Sequence, residues 1–316
     1  MRRVALIYNP ASGQLSSRRA RIIEKALEIL REAGLDAEAL ETDAPGSART
    51  LARAAVRNGY DTILACGGDG TVHEVLQCLV GTPIALGVVP LGTANALAQD
   101  LGLGRSPLKA VRRLLRAEPL QVPVGRVFYR DRLGAEQSRY FTVAAGVGAD
   151  AQMMSRLDLK LKRRFGYALY LIEAFRVWAT SSFPYFEAIF AWDDERPRRT
   201  EEVSQLLAVR VRSFGGVLGQ LAPGATVRNH TLSLVAFKTR SRLRYLRFLF
   251  AVIAKRHSFG DQVELVEADT VECRTRNRAR TTVYVEADGE VLGMLPARME
   301  VASEQVTLLV PPGANP

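Results

Sequence analysis

Along the first hundred residues, short apolar runs alternate with stretches of helical periodicity. Apolar runs at Val4 to Tyr8, Ala37 to Leu40, Thr62 to Ala65 and Ala85 to Val89 predict strands, and the intervening patterns at Arg18 to Ala33, Ala48 to Arg57, Val72 to Leu79 and Ala94 to Leu101 predict helices. Strands separated by helices predict a parallel sheet with crossover connections, in which ligands bind beyond the carboxyl ends of the strands.

The texture changes over Glu118 to Gly125, a stretch carrying Pro119 and Pro123, and a domain boundary is expected there. Beyond it, strand patterns dominate: Arg126 to Tyr129, Tyr140 to Ala145, Tyr185 to Trp192, Leu206 to Ser213, Thr231 to Phe237, Val263 to Val266, Thr281 to Ala287 and Val306 to Val310. Antiparallel sheets packed face to face are the expectation for this half. Two helical stretches interrupt it, Arg156 to Trp178 and Lys238 to His257. Both join arginines and lysines to an apolar, aromatic body, a combination suited to an anionic bilayer surface or to a helix packed on a sheet with a solvated basic rim.

The segments that follow the four predicted N-terminal strands carry the candidate chemistry. After the third strand stands Gly67-Gly68-Asp69-Gly70-Thr71, running into Val72, His73 and Glu74. Three glycines in four residues make a turn whose main-chain N–H groups are open to an anion, the requirement for binding phosphate. Asp69 beside bound phosphates calls for a divalent cation, so Mg2+ is expected. Thr71 and Glu74 have the spacing of a capping box, which opens a helix whose positive end faces the same place. The other segments are Asn9-Pro10-Ala11-Ser12-Gly13 after the first strand, Thr42 after the second and Pro90-Leu91-Gly92-Thr93-Ala94-Asn95 after the fourth. Each alone is compatible with plain turn chemistry. Together they mark one edge of one sheet.

Composition narrows the class. With 316 residues, 47% hydrophobic and 24% charged, the chain is long enough for about two soluble globular domains. Three cysteines without a C-x-x-C pair argue for free thiols, and three histidines argue against a histidine-built zinc site. The longest apolar run, Phe248 to Ala254, is too short to span a bilayer, and the N-terminal run ending at Asn9-Pro10 is too short for a signal peptide. A cytoplasmic protein, peripheral to the membrane, is expected. The net charge of +10 suits a polyanionic cofactor and an anionic surface, while the absence of a nucleic-acid motif speaks against DNA or RNA.

Two further motifs compete. Gly146-Val147-Gly148-Ala149-Asp150-Ala151 fits the dinucleotide fingerprint but lacks an acidic residue closing a second strand about 20 residues on, and no Walker A sequence is present. Glu286-Ala287-Asp288-Gly289-Glu290 reads as a hairpin turn between strands, or as a carboxylate site that accepts a proton from an attacking hydroxyl.

The set Asn9-Pro10-x-Ser12-Gly13, Gly67-Gly68-Asp69-Gly70-Thr71-x-x-Glu74-Val75, Pro90-x-Gly92-Thr93-x-Asn95 and Asp288-Gly289-Glu290 resembles the soluble bacterial diacylglycerol kinase family, whose wider relatives are sphingosine, ceramide and NAD kinases. The resemblance covers essentially the whole chain. It implies an α/β fold: a Rossmann-like parallel-sheet nucleotide domain at 1–122, joined late by 295–316, and an antiparallel β-sandwich lipid-substrate domain at 123–294. It implies an ATP- and Mg2+-dependent kinase of phospholipid metabolism with ATP in an interdomain cleft. Carried over by position, Asn9, Pro10, Ala11, Ser12, Gly13, Thr42, Gly67, Gly68, Asp69, Gly70, Thr71, Val72, His73 and Thr93 bind ATP. Asp69 meets Mg2+ through the nucleotide, and either Asp288 or Glu290 is the general base.

The chain departs from the family pattern at two places. Where the family has Asp-Gly supporting a structural Mg2+, Pro223-Gly224-Ala225 is followed by Thr226, Val227, Arg228, Asn229, His230 and Thr231, without a carboxylate. The Asn-Gly before Gly215-Gly216 is replaced by Arg212 and Ser213. The leading expectation is a kinase acting on a lipid hydroxyl, such as that of diacylglycerol, at an anionic membrane surface, with a homodimer left open. An NAD kinase-like phosphotransferase and a non-catalytic nucleotide sensor are the alternatives.

Overall fold

A computed structural model describes residues 1–10, 16–149, 151–152, 176, 178–214, 219–254, 261–275 and 282–316. Ala11 to Gly13, Gly215-Gly216 and most of the basic stretch from Arg156 lie outside the described residues. The chain forms two compact units, Met1–Val124 with Ser303–Pro316, and Gly125–Ala302.

In the first unit the elements run β1 (Arg3–Tyr8), α1 (Ser16–Glu32), β2 (Asp36–Glu41), α2 (Ser47–Arg57), β3 (Thr62–Gly67), α3 (Asp69–Leu79), β4 (Ala85–Pro90), α4 (Ala96–Asp100) and α5 (Pro107–Leu114). The strands are parallel in the order β4-β3-β1-β2, with Leu6 beside Leu64 and Ala39. The end of a long strand, β15 (Glu290–Val310), adds to β4 in parallel at Thr307 and Leu308. Both faces of such a sheet are covered by helices, so its central strands carry unbroken apolar runs. β3 and β4 are buried at every position, whereas the edge strand β2 alternates. Each Ile63- or Leu64-sized side chain buried here contributes about 1.5–3 kcal/mol.

The second unit holds β5 (Glu118–Arg130, shared across the unit boundary), β6 (Glu136–Phe141), β7 (Ala144–Val147), β8 (Phe186–Ala191), β9 (Arg199–Val203), β10 (Gln205–Val209), β11 (Leu232–Phe237), α6 (Arg242–Ile253), β12 (Val263–Ala268), β13 (Thr270–Arg274), β14 (Tyr284–Ala287) and the start of β15. One layer runs β12-β11-β10-β7-β14-β15 and another β9-β8-β13-β15, with antiparallel pairing. Phe186 and Phe190 of β8, Leu206 of β10, Leu234 of β11 and Val285 of β14 share one buried cluster, the interior of a β-sandwich.

Several local expectations are revised. The boundary expected over Glu118 to Gly125 falls inside the 13-residue strand β5, which carries both prolines, and the two units divide after Val124. β9, β13 and most of β15 carried no recognisable apolar run, because charged residues alternate through them and Gly293 and Pro296 interrupt the last. The dinucleotide fingerprint fails on topology: β7 pairs antiparallel with both β10 and β14, where a nucleotide-binding βαβ unit needs parallel neighbours. Gly148 answers to packing, since a Cβ there would meet the Ser204 carbonyl at 2.7 Å.

Candidate active site

The turns after β2, β3 and β4, and Asn9 and Pro10 of the turn after β1, are described at the carboxyl ends of their strands and are linked by a chain of hydrogen bonds. Arg19, from α1, donates to the Asn9 carbonyl at 3.4 Å and to the Leu91 carbonyl at 2.7 Å, joining the turns after β1 and β4. The Leu91 N–H donates to the Gly67 carbonyl at 2.8 Å, joining the turns after β4 and β3. Thr42 follows β2, its N–H donating to the Tyr8 carbonyl at 2.9 Å. Its hydroxyl is buried with no hydrogen-bond partner. An orphaned hydroxyl beyond a strand's carboxyl end is a group poised for a ligand.

The glycine run has two physical explanations at once. At Gly68 a Cβ would lie 3.2 Å from the Gly92 Cα, and at Gly92 it would collide with the Gly68 backbone. The two turns therefore approach backbone to backbone, at a distance only glycine allows. At Gly67 a Cβ would overlap the Thr71 side chain.

Asp69 fastens this pair of turns. Its Oδ2 accepts the Asn95 N–H at 3.0 Å and its Oδ1 the Ala96 N–H at 2.8 Å, at the start of α4. Asn95 is held in the left-handed region at φ 49° and closes its own turn: its Oδ1 accepts the Gly92 N–H and its Nδ2 donates to the Gly92 carbonyl, both at 2.9 Å.

The capping box is corrected. α3 begins at Asp69 with Gly68 in the capping position, three residues earlier than the Thr-x-x-Glu spacing implied, so Thr71 lies inside the helix. Glu74 instead reaches another helix, its Oε1 accepting the Gly46 N–H at 2.9 Å where α2 starts. His73 and Val72 are buried in the first two turns of α3, Thr71 is half-buried, and Thr93 is exposed.

In the second unit Asp288 and Gly289, with φ of 48° and 83°, form the two-residue turn between β14 and β15, the positive-φ pair that Asp-Gly favours. The Asp288 carboxylate does more than turn the chain. It accepts the N–H groups of Thr142, Val143 and Ala144 at 3.1, 2.9 and 3.1 Å, where β6 gives way to β7. The Gly289 N–H donates to the buried Glu286 at 2.8 Å. Glu290 opens β15 opposite Ala287, half-buried.

Sequence reasoning missed two residues. One is Arg19, whose part is visible only when two turns some 80 positions apart are adjacent. The other is Arg210, 1% exposed, whose N–H donates to the Val143 carbonyl at 2.9 Å.

This geometry agrees with comparisons to known proteins. Residues 3–127 match the diacylglycerol kinase catalytic domain, and residues 141–310 match the YegS C-terminal NAD kinase beta sandwich-like domain. The chain belongs to the diacylglycerol kinase and YegS-like lipid kinase family. Among its relatives, a probable YegS-like lipid kinase of Chromohalobacter salexigens is 32% identical, over 84% of this chain and 81% of that one. Diacylglycerol kinases of Mycobacterium tuberculosis and Bacillus subtilis are 29% and 25% identical, each over 98% of this chain and over 95% and 97% of theirs. A structure of a putative diacylglycerol kinase from Bacillus anthracis shares the fold at a TM-score of 0.77 and 19% identity, covering 99% of this chain and 96% of that one.

Proposed function

We propose that this family member is an ATP- and Mg2+-dependent kinase that transfers the γ-phosphoryl group to a hydroxyl of a membrane lipid such as diacylglycerol. The observation that carries this reading is the pair of glycine turns, Gly67 to Asp69 and Gly92 to Asn95, locked together by Asp69 at the carboxyl edge of a parallel sheet. Such turns present backbone N–H groups and the α3 N-terminus to phosphate oxygens. Asn9, Pro10 and Thr42 extend the same edge and are assigned to nucleotide contact, as are Thr93 and the start of α3 through His73.

Mg2+ enters with the nucleotide. Asp69, whose carboxylate accepts the Asn95 and Ala96 amides, is assigned to a water or phosphate-bound cation through the nucleotide as well as to the turn it fastens. A divalent cation bound with the nucleotide would supply neutralisation of charge on the phosphates.

Of the two candidate bases, Glu290 is the choice. Asp288 accepts three main-chain N–H groups, which supports its assignment as the anchor of the turn. Glu290, two residues on, takes the proton of the attacking hydroxyl while the phosphoryl group moves to that oxygen and ADP leaves.

Membrane contact is assigned to α6. Its inner face, Phe248 and Val252, packs on β10 and β11, while Leu243, Phe250 and Ile253 are 76%, 66% and 43% exposed. Arg242, Arg244 and Arg247 are exposed on the same helix. Apolar side chains rimmed by cations match an anionic bilayer surface. No helix among the described residues is long and apolar enough to cross a membrane.

The test is a panel of diacylglycerol, sphingoid, ceramide and prenol lipids in micelles with Mg2+ and radiolabelled ATP, run beside an NADP-formation assay. Labelled lipid supports the proposal. No label in any lipid, or NADP formation alone, ends it.

A further inference from the structure

The segment 222–231 stands where the family pattern supports a structural Mg2+, and its residues do not fit one. It contains no carboxylate. Among the described residues no cluster of three or more Asp, Glu, His or Cys is placed to hold a metal. The one amide side chain in it, Asn229, spends its Nδ2 donating to the Gly224 carbonyl at 3.0 Å, which turns a donor toward the loop's interior where a cation needs acceptors.

The carbonyls that a cation would seek are taken by a side chain. Nη2 of Arg210 donates to the Val227 carbonyl at 3.1 Å and to the Asn229 carbonyl at 2.9 Å. The guanidinium arises just after β10, and the residue is 1% exposed, among the largest fully buried side chains described. Within the loop the Ala225 N–H donates to the Ala222 carbonyl at 3.2 Å, the Asn229 N–H to the Thr226 carbonyl at 3.1 Å and the Arg228 N–H to the Thr226 hydroxyl at 2.9 Å. Ala222 and Ala225 pack against Val209 and Val235 of β10 and β11. Arg210 adds long-range polar ties, reaching 17 and 19 positions along the chain.

Arg210 is also linked to the Asp288 turn through Val143. Its main-chain N–H donates to Val143, and the Val143 N–H donates to Asp288. Burial draws the guanidinium down to about 10, and the Asp288 charge pulls it back up, so it stays cationic at neutral pH. A buried cation with carbonyl acceptors, under the influence of a carboxylate's charge, is the arrangement that makes such burial tolerable.

We infer that Arg210 is a built-in cation that holds the 222–231 loop and positions the Asp288–Glu290 turn, so that this unit folds without a structural divalent ion. The inference concerns the second unit's architecture, and its tests use no phosphoryl transfer. They therefore stand or fall separately from the proposed kinase activity.

The first test uses the full-length protein, stripped with EDTA and free of nucleotide. Its thermal midpoint and amide exchange over 222–231 are expected to be the same with and without millimolar Mg2+; a midpoint raised by Mg2+, with new protection in that loop, overturns the inference. The second compares Arg210→Met with Arg210→Lys by amide exchange at Thr142 to Ala144 and at 222–231. Arg210→Met is expected to lower the midpoint by about 10 °C and to speed exchange at both places. Arg210→Lys, which keeps the charge, is expected to restore most of the protection. Unchanged protection in Arg210→Met, or no recovery in Arg210→Lys, contradicts the assigned role. If Arg210→Met does not fold, Arg210→Lys and the Mg2+ measurement on the wild type decide.

Discussion

The Val143 N–H points at Oδ1 of Asp288 from 2.9 Å, across 145 positions of sequence. With the neighbouring Thr142 and Ala144 amides it turns the Asp288 carboxylate into a clamp for the β6–β7 junction. The two acidic residues of Asp288-Gly289-Glu290 thus separate by function, and substitutions tell them apart. Asp288→Ala strands three amide donors and is expected to destabilise the protein by about 2–4 kcal/mol, seen as a lower midpoint in urea. Glu290→Gln is expected to unfold like the wild type while its turnover falls by about 10²–10⁴-fold.

Asp69 carries a parallel expectation in the first unit. Removing the acceptor of the Asn95 and Ala96 amides with Asp69→Ala costs about 2–4 kcal/mol and frees the two glycine turns from each other. Loss of nucleotide affinity should accompany the loss of stability, measured by titration calorimetry with ATP. An affinity unchanged in the folded variant would show that the fastening has no bearing on nucleotide binding.

The turn sequences were legible because their chemistry is local. Glycine at a backbone crossing, Asn95 at positive φ and Asp288-Gly289 in a tight hairpin each announce themselves within a few residues, as did the strand and helix alternation of the first unit. What those side chains hold was not legible. Asp69 was read as a metal-facing group from its charge, and its bonds to Asn95 and Ala96 depend on β3 and β4 being neighbours. The capping box failed for a related reason. Its spacing is correct, but Glu74 finds a better donor in Gly46, which is near only after α2 and α3 pack. Arg210 looked like one more basic residue in an arginine-rich chain, and β15 was hidden by a glycine that a close approach to Arg130 requires.

The glycine crossing is open to a steric test. Gly92→Ala drives a methyl into the Gly68 backbone, and the turns must part by a distance on the order of 1 Å, enough to lower turnover by about 100-fold. Gly81→Ala, also a glycine substitution but with nothing within 4 Å of its Cβ, serves as the control; its positive φ carries a stability cost without touching the two glycine turns.

An ion-pair cluster on the β9–β12 side makes acid stability predictable in sign. Glu264 accepts hydrogen bonds from Arg199 and is paired with Lys238 at 2.7 Å, and its pKa is pushed down to about 2, chiefly by the Arg199 hydrogen bond. Glu201, bonded to the same two cations, is also lowered, against a desolvation that raises it. A carboxylate depressed on folding stabilises the protein above its unfolded pKa and loses that contribution as pH falls toward its folded value. The unfolding midpoint should therefore drop between pH about 4.5 and about 2, and less steeply in Glu264→Gln. Partial exposure of both carboxylates keeps the effect modest.

Membrane attachment should follow the exposed side of α6. Each arginine removed near an anionic surface costs about 1 kcal/mol, or about fivefold in binding, so Arg244→Ser should weaken cosedimentation with phosphatidylserine vesicles and leave neutral vesicles little changed. Equal loss on both vesicle types would place the contact elsewhere than on this basic, apolar face.

The most direct measurement is transfer of labelled phosphate from ATP to diacylglycerol in Mg2+-containing micelles by the wild type and by Glu290→Gln, with equal unfolding midpoints confirmed beforehand. Labelled phosphatidic acid from the wild type, reduced by at least about 100-fold in Glu290→Gln, is the predicted result. Undiminished transfer by a folded Glu290→Gln would contradict the assignment of the base, and no transfer to any lipid by the wild type would contradict the proposed activity itself.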